Sequence, residues 1–454
     1  MGSYLKSAGL IRLNNVAEYH VENFGCRASR ADGEIISADL RHRGLTPAET
    51  ASQADVIVAN TCSVTAQADR TARAFLRKMH RENPSARILV TGCYAQRAPE
   101  ELVGLPGVHA VIGNSHKALV PELAQQVAGF VPLAGLYVDD AFAHSELAMP
   151  QGGWRADDRG QTRPNLKVQD GCGNRCSFCI IPTTRGHSRS LPVEACLKEV
   201  RAFVEADGTE MVLSGINLGR WGRDLKPAST LEELVSAIVR RTSLPRLRLS
   251  SIEPMDWTPA LLELLRESRG RIARHAHLPL QSGSDAILRA MHRRYRPWHY
   301  AEKLRLIRES LPDAAIGADV MVGFPGESET LFEESFAFIA AQPLTYLHLF
   351  PFSARPGTSA WQLAKQNPID PRVVTERMSR LRALIAEKNL RFRERFRGTE
   401  LSAISLHTAA GGATKALTDN FLEVELDARI AANQTLRVLV TGLSGTGLNG
   451  RVAA

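Results

Sequence analysis

The sequence predicts an α/β protein in three parts: an N-terminal parallel-sheet domain, a central partial (β/α)6 barrel and a small C-terminal all-β barrel. Short Val- and Ile-rich strand patterns alternate with helical patterns over residues 16–128, and the same alternation resumes near Arg163. After residue 396, apolar and polar residues alternate between turn signals, as in a small barrel of about 55 residues. We expect domains at 16–128, 161–396 and 397–454, with a linker or edge segment at 129–160.

The composition is that of a soluble globular chain with excess positive charge. Its 454 residues are 44% hydrophobic and 23% charged, with a formal net charge of +8. Residues 1–15 lack the apolar run of a secretory signal, and no apolar stretch is long enough for a membrane span, so we expect a cytoplasmic protein. Basic clusters at 289–296 and 371–400 suit a polyanion such as RNA, and a solvated helix face is the alternative.

A cysteine follows each of the first three strands predicted in the N-terminal domain. Cys26, Cys62 and Cys93 come after the strand patterns VAEYHV, DVIVAN and ARILVTG, and HAVIG forms a fourth strand. Because the carboxyl ends of parallel strands share one edge of an open sheet, we expect the three thiols to meet there. The alternative, three unrelated buried cysteines, would scatter them within strands and helices. Seven cysteines in a reducing compartment favour metal ligands over disulfides.

Six further strand patterns, separated by helical patterns, predict the central barrel. They are NLKVQD (165–170), MVLSG (211–215), LRLSSIE (247–253), HAHLPLQ (275–281), AIGADVMVGF (315–324) and YLHLFPFS (346–353). Functional residues of such barrels lie at the carboxyl ends of the strands, where most of the unusual residues of this segment also fall.

The loop after the first barrel strand, DGCGNRCSFCIIPTTRG, contains three cysteines in a C-x3-C-x2-C pattern. Cys172, Cys176 and Cys179 can hold three irons of a 4Fe–4S cluster and leave the fourth iron open to a substrate. Phe178 is an apolar neighbour that can shield such a cluster from water. A zinc site on Cys176 and Cys179 is the alternative, which the three-ligand count and the barrel context disfavour.

This loop resembles the signature of the radical S-adenosylmethionine (SAM) superfamily. The resemblance implies that SAM binds the open iron and is cleaved reductively to a 5′-deoxyadenosyl radical, which abstracts a hydrogen atom. Ser214 and Gly215 resemble the glycine-rich SAM motif of these barrels, although a simple strand-to-loop glycine is the alternative. Glu253, Gln281 and Asp319, on rim loops, are expected contacts of SAM or the substrate.

Over residues 16–454 the chain is similar to the methylthiotransferase family. The motifs that carry this similarity are ANTCSVTAQADR, VTGCYAQR, GCGNRCSFCIIPTTRGHSRS, HLPLQSGSD, ADVMVGFPGE and FPFSARPGT. The resemblance implies a second 4Fe–4S cluster on Cys26, Cys62 and Cys93, two uses of SAM, and a C-terminal TRAM-like RNA-binding domain. It also implies two partners, the anticodon stem-loop of a tRNA and a reductant protein such as a flavodoxin or ferredoxin. Ser29 stands where the family commonly has Asn.

Three branches of the family differ in substrate. NTCSVTAQADR, SSIEPMDW and MHRRYR most resemble the branch that modifies threonylcarbamoyl-adenosine, just 3′ of the anticodon in tRNA. The alternatives are the branch that acts on isopentenyl-adenosine and the branch that modifies an aspartate of a ribosomal protein. An iron–sulfur RNA-binding scaffold without catalytic activity is a further alternative.

Several other residues could have either a structural or a functional role. We expect His275 and His277 to pack in the barrel or contact substrate, because we expect no carboxylate or third metal ligand nearby. Arg185 and Arg189 are candidates to bind a carboxylate or phosphate. Cys196 is expected to be a small buried hydrophobe in an amphipathic helix.

Residues 401–454 carry four Lys/Arg and four Asp/Glu, so this segment is not itself basic, and its RNA affinity must come from LTDNF (417–421) and from the basic helix before it. Phe421 can stack on a base, but core packing is the commoner role of such a residue. GTGLNG (445–450) is not a dinucleotide motif, since no βαβ unit can follow it, and its glycines are expected to shape a turn.

Overall fold

A computed structural model of the protein describes residues 16–129, 135–143, 147, 162–406 and 413–453. Within them the chain forms a parallel six-stranded sheet, a partial α/β barrel and a closed five-stranded barrel, which confirms the predicted fold class. The N-terminal residues and most of the expected linker lie outside the described residues. None of the helices in the described part of the chain is long and apolar enough to cross a membrane.

The N-terminal sheet has the strand order β2-β1-β3-β4-β5-β6, and all its strands are parallel. The strands are β1 (Glu18–Asn23), β2 (Thr46–Pro47), β3 (Val56–Thr61), β4 (Arg87–Gly92), β5 (Val108–Ile112) and β6 (Leu136–Tyr137). The helices are α1 (Arg27–His42), α2 (Ala66–Glu82), α3 (Cys93–Arg97), α4 (Glu100–Val103) and α5 (Val120–Ala128). Among its described residues, the segment expected to be a linker contains the edge strand β6 and a short 3-10 turn at Ala141–Ala143.

Strand β3 shows why this sheet is covered on both faces. All of its residues are buried, and alternate side chains belong to different apolar clusters. Ile57 packs with α2, whereas Val56 and Val58 pack with α1 and α5. A near-continuous apolar run is therefore the expected pattern, as in parallel strands generally.

The central barrel has the order β8-β7-β9-β10 followed by β11-β12-β13, and a bridge between Leu247 and Ile272 joins the two halves. Its strands are β7 (Asn165–Asp170), β8 (Arg189–Ser190), β9 (Glu210–Gly215), β10 (Arg246–Leu249), β11 (His275–His277), β12 (Ala315–Val322) and β13 (Tyr346–Pro351). Its helices are α6 (Ile181–Arg185), α7 (Val193–Glu205), α8 (Leu231–Arg241), α9 (Pro259–Glu267), α10 (Asp285–Ala290), α11 (Pro297–Ser310), α12 (Glu329–Ala341), α13 (Ser359–Gln366) and α14 (Pro371–Glu394). The six predicted strands are all present, and β8 is a short antiparallel addition.

The two faces of the barrel strands have different chemistry. Leu166 and Val168 of β7 pack outward into the main apolar core with Cys196, which is fully buried as expected. The alternate residues of β7 are polar: Asn165 and Lys167 bond side chains of helix α1. Helix α1 of the N-terminal domain therefore packs on the polar side of the barrel sheet.

The C-terminal barrel closes in the order β14-β15-β16-β18-β17. Its strands are β14 (Glu400–Ser405), β15 (Thr414–Thr418), β16 (Glu423–Leu426), β17 (Thr435–Ser444) and β18 (Gly447–Val452). The prediction that the glycines of GTGLNG shape a turn is correct for Gly445 but wrong for Gly447 and Gly450, which lie in strand β18. A Cβ at Gly450 would lie 2.6 Å from a methyl of Val438, so glycine there allows close approach of neighbouring strands.

The segment LTDNF binds the central barrel, which corrects its assignment to RNA. Asp419 is buried and accepts hydrogen bonds from Arg274 at 2.7 and 3.1 Å. The guanidinium of Arg248 donates to the carbonyls of Thr418 and Asp419. Phe421 is half-buried and contacts the ring of His275, with centroids 4.5 Å apart. These groups are used to hold the C-terminal barrel in place.

Several cations of the basic helix α14 and of the residue that follows it bond groups of the protein itself. Arg377 pairs with Glu327 at 3.0 Å, and Arg380 pairs with Glu333 at 2.6 Å. Arg393 donates to the carbonyls of Gly445 and Gly447, where the turn enters β18, and Arg395 pairs with Asp313. Of these four cations, Arg393 contacts the C-terminal barrel and the other three pair with acids of the central barrel, so part of this charge run is used within the protein.

Candidate active site between helix α1 and the barrel

A cavity of about 510 Å³ lies between helix α1 and the carboxyl ends of the barrel strands. The loop cysteines Cys172, Cys176 and Cys179 line it, and Cys26 lines it from the N-terminal domain. Five of the other predicted contacts also line it: Phe178, Gly215, Glu253, Gln281 and Asp319. Ser214 does not, because its side chain is buried and donates to the carbonyl of Leu166.

The cysteine loop is fixed by hydrogen bonds at its base. The side chain of Gln169 donates to the carbonyls of Asp170 and Gly171 and accepts from the backbone N–H of Asn217. On the far side, the backbone N–H of Ser177 donates to Met291 at 3.1 Å. The three thiols are therefore held by contacts from several parts of the barrel rim.

Several N–H groups are aimed at the sulfur atoms of this loop. The backbone N–H of Asn174 lies 3.4 Å from Cys172 Sγ, and Asn217 Nδ2 lies 3.7 Å from the same sulfur. The guanidinium of Arg293 donates to Cys176 Sγ at 3.2 Å. Donors of this kind stabilise thiolate ligands and set the potential of iron–sulfur clusters.

The thiols have environments that suit a bound cationic cluster. Burial raises the pKa of Cys179 to about 12, and nearby Cys176 and Cys172 add to the effect. Burial likewise raises the pKa of Cys62 to about 12, with contributions from Cys93 and Cys26. Three clustered thiolates are therefore costly on their own, and bound metal compensates this cost because it binds the deprotonated form.

The structure brings the N-terminal cysteines to one edge of the sheet. Cys26, Cys62 and Cys93 follow the adjacent strands β1, β3 and β4. Gly25 has a φ of +102°, and a Cβ there would lie 2.5 Å from Cys62 Sγ. The side chain of Asn114 donates to Cys93 Sγ at 3.5 Å. The edge is thus shaped around the sulfur atoms.

Arg293 is a site residue that sequence reasoning did not single out. Besides Cys176, its guanidinium bonds Glu253 at 2.5 Å and the hydroxyl of Tyr295 at 3.1 Å. Tyr295 in turn donates to the carbonyl of Pro279 at 2.6 Å. Arg293 belongs to the basic motif MHRRYR, but the sequence of a basic run does not show which of its side chains points into the barrel.

The barrel histidines correct another expectation, because a carboxylate and a third potential ligand do lie nearby. Asp319 Oδ1 is 3.3 Å from His277 Nε2 and 3.2 Å from His348 Nδ1, and the three ligand atoms lie within 4.8 Å of one another. Ser251 bonds the other nitrogen of His277 at 2.6 Å. His275 bonds Tyr346 at 2.7 Å, and burial holds the pKa of His275 well below its usual value.

Gln281 combines backbone strain with an unsatisfied buried group. Its φ is +68°, a left-handed conformation that a non-glycine residue rarely adopts. Within the described chain, its buried Oε1 atom has no hydrogen-bond partner. Strained residues with unpaired polar atoms cluster at functional sites, and this atom faces a ligand-sized cavity.

Arg185 and Arg189 bind groups of the protein itself. Arg185 is 1% exposed and bonds Asp170 at 2.9 Å and Asp32 at 3.0 Å. Arg189 donates to the carbonyl of Arg185. Ser29 is buried, and its carbonyl accepts from Asn60 at 2.6 Å. The expectation that Arg185 grips a carboxylate is met by internal ion pairs rather than by a ligand.

A partial α/β barrel with three cysteines in the C-x3-C-x2-C pattern after its first strand defines the radical SAM class of enzymes. Residues 166–339 match the model described as the radical SAM superfamily, and residues 18–113 match uncharacterized protein family UPF0004. The radical SAM methyltransferase TsrM from Kitasatospora setae, solved with cobalamin and a [4Fe-4S] cluster, has a TM-score of 0.53. The two chains are 14% identical, and the superposition covers 78% of each, so the similarity shows a shared fold and no more.

Comparison with named relatives shows to which family of radical SAM enzymes the chain is similar. The threonylcarbamoyladenosine tRNA methylthiotransferase MtaB of Aquifex aeolicus is 33% identical over 92% of this chain and 99% of its own. The protein of the same name from Bacillus subtilis is 37% identical over 79% and 78%. The tRNA-2-methylthio-N(6)-dimethylallyladenosine synthase of Sphingopyxis alaskensis is 34% identical over 83% and 84%. The chain belongs to the radical SAM tRNA methylthiotransferase family, as the sequence motifs indicated.

Proposed function

We propose that the protein methylthiolates C2 of N6-threonylcarbamoyladenosine at position 37 of tRNA. The observation that carries this proposal is that Cys26 and the three loop cysteines line one cavity, so groups held by both cysteine sets would face one substrate. The names of the Aquifex aeolicus and Bacillus subtilis relatives support this substrate. The Sphingopyxis alaskensis relative makes dimethylallyl-adenosine the main competing substrate.

The residues present fit two 4Fe–4S clusters and SAM. Cys26, Cys62 and Cys93 would hold one cluster, and Cys172, Cys176 and Cys179 would hold the other. Phe178, Gly215, Glu253, Gln281 and Asp319 are the proposed wall of the SAM and substrate site. When bound, these cofactors supply reductive cleavage of SAM, removal of a hydrogen atom from an unactivated carbon, and transfer of a methylthio group.

The chain's own residues position these groups and form the walls of the cavity. Arg293 connects Cys176 to Glu253 and so fixes two walls of the cavity. The Asp319 carboxylate orients two imidazoles, and the neutral His275 adds a polar surface without charge. Helix α1 packs against β7 and β9, and its first turn forms one wall of the cavity.

We also propose a one-electron reductant, such as a flavodoxin or ferredoxin, and a cytoplasmic location for the reaction. Nucleoside analysis of tRNA tests the substrate directly. Deletion of the gene is expected to abolish the methylthio form of threonylcarbamoyl-adenosine and leave methylthio-isopentenyl-adenosine unchanged. The reverse pattern would falsify the substrate assignment, and a ribosomal protein that loses a methylthio group would favour the aspartate branch. Absence of 5′-deoxyadenosine from the reduced, reconstituted protein with SAM would favour a scaffold.

Replacement of Arg293 by lysine is expected to slow SAM cleavage about 10-fold or more, since loss of a group that orients a metal ligand typically has effects of this size. Lysine keeps the charge but cannot bond Cys176, Glu253 and Tyr295 together. The measurement is 5′-deoxyadenosine formation at matched iron content. Arg294→Lys, at the exposed neighbouring position, is the control and is expected to behave as wild type. Equal rates for both variants would contradict the positioning role.

A further inference from the structure

Arg27 is an unpaired cation in the wall of the cavity. It is the first residue of α1 and directly follows Cys26. Among the described residues, its guanidinium has neither a hydrogen bond nor an ion pair, yet it lines the cavity together with Tyr346. An arginine held without a partner in such a place is a ready receptor for an anionic group.

The other charged side chains that line the cavity already have partners. Glu253 bonds Arg293, and Asp319 bonds the two histidines on β11 and β13. Arg27 is therefore the one charged side chain, among the described residues that form the cavity wall, that has neither a hydrogen bond nor an ion pair with a protein group. A ligand with a negative charge near Arg27 would be stabilised by an ion pair with its guanidinium, whereas a neutral ligand would not.

We propose that Arg27 recognises the carboxylate of the threonylcarbamoyl group and so selects this nucleoside over others. The proposal rests on the proposed function. A threonylcarbamoyl group carries a free carboxylate, whereas an isopentenyl group is a neutral hydrocarbon. Burial of a carboxylate without a counter-charge is costly, and the two-pronged guanidinium matches its geometry. Selection against the hydrocarbon follows, because that group would leave the guanidinium in the cavity wall unpaired.

Gln281 provides a second observation that points to a polar ligand. Its Oε1 atom is buried, lines the same cavity and lacks a partner within the described chain. The threonylcarbamoyl group offers ureido N–H groups and a hydroxyl, each of which can donate to such an acceptor. Arg27 and Gln281 together would satisfy both the acceptor and the donor side of this substituent.

SAM also has a carboxylate, so the experiment must distinguish binding of Arg27 to SAM from binding of Arg27 to the threonylcarbamoyl group. Equilibrium dialysis of SAM against reconstituted wild type and Arg27→Gln provides one arm. We expect the same SAM affinity for both proteins within about twofold, because SAM is proposed to bind at the barrel cysteines. A large loss of SAM affinity in Arg27→Gln would overturn the assignment to the nucleoside.

The second arm measures binding of two anticodon stem-loops, one with threonylcarbamoyl-adenosine at position 37 and one with plain adenosine. Arg27→Gln is expected to weaken binding of the first about 10- to 100-fold and leave the second unchanged. Arg27→Lys should lose less, since it keeps the charge. Arg30→Gln is the control, because Arg30 is exposed on the same helix outside the cavity wall.

Each outcome decides one claim. Equal weakening for both stem-loops would assign Arg27 to the RNA backbone and overturn the inference, as would unchanged binding. If wild type modifies the threonylcarbamoyl RNA while Arg27→Gln discriminates as well as wild type, the inference fails and the proposed function stands. If wild type modifies only isopentenyl RNA, the proposed function fails.

Discussion

Gly25→Ala is expected to reduce the iron content of the reconstituted protein by about half, from roughly eight atoms to roughly four. The new Cβ would lie 2.4 Å from Cys62 Cβ and 2.5 Å from its sulfur, so the thiol must move from its place at the sheet edge. Cys172, Cys176 and Cys179 are far along the chain and should keep their iron. SAM cleavage would then persist while methylthio transfer to tRNA is lost.

The control for this variant is Gly44→Ala. Gly44 also has a positive φ, +86°, so alanine introduces comparable backbone strain of about 1 kcal/mol. A Cβ at Gly44 meets nothing within 4 Å, and no cysteine is affected. Full iron content in Gly44→Ala and half in Gly25→Ala would locate the effect at Cys62. Roughly eight irons in both variants would show that the Gly25 contact with Cys62 is not needed for the N-terminal cluster, whereas roughly four in the unchanged protein would show that the N-terminal cysteines hold none.

Local patterns in the sequence predicted the helices and strands, and they predicted that the functional residues lie at the carboxyl ends of the parallel strands. Strand and helix periodicity located the parallel strands to within a few residues, and the position of each cysteine after a strand placed it at a carboxyl edge. The cysteine loop could be interpreted from spacing alone, because its three thiols lie within eight residues of one another. Such features depend on neighbours in sequence, which the sequence shows directly.

Contacts between distant segments could not be predicted in the same way. His348 comes from a strand about 70 residues after His277, and only strand order and side-chain direction bring both to Asp319. Sequence spacing therefore made His277 appear to lack a carboxylate. The same limit applies to Arg293, whose inward direction depends on the fold of the rim.

Basic residues were the least informative, for a related reason. The run in α14 and the run around Arg293 suggested an RNA surface, yet several of their cations pair with acids from other elements. Arg27, in contrast, attracted no notice in the sequence because it is a single residue. A cation becomes informative for binding once its lack of an internal partner is known, and that requires the tertiary structure.

Asp32 is the carboxylate whose loss is expected to affect stability most. It lies on α1 and is 2% exposed, and Lys117, Lys167 and Arg185 all bond it. Burial alone would raise the pKa of Asp32, but the three cations outweigh burial and hold it well below the usual value. This stabilisation is present at neutral pH and is lost as the pH falls below the unfolded value of about 3.9.

Asp32→Ala is expected to lower the free energy of unfolding by about 3–5 kcal/mol, because it leaves buried cations without their counter-charge. Lys167 and Arg185 belong to the barrel, so the N-terminal domain should also dock less tightly. Urea unfolding at neutral pH measures the loss. Adding Lys117→Met to Asp32→Ala removes one of the uncompensated cations and should restore part of the stability. If the double variant is no more stable than Asp32→Ala, unpaired charge at this site is not the cause.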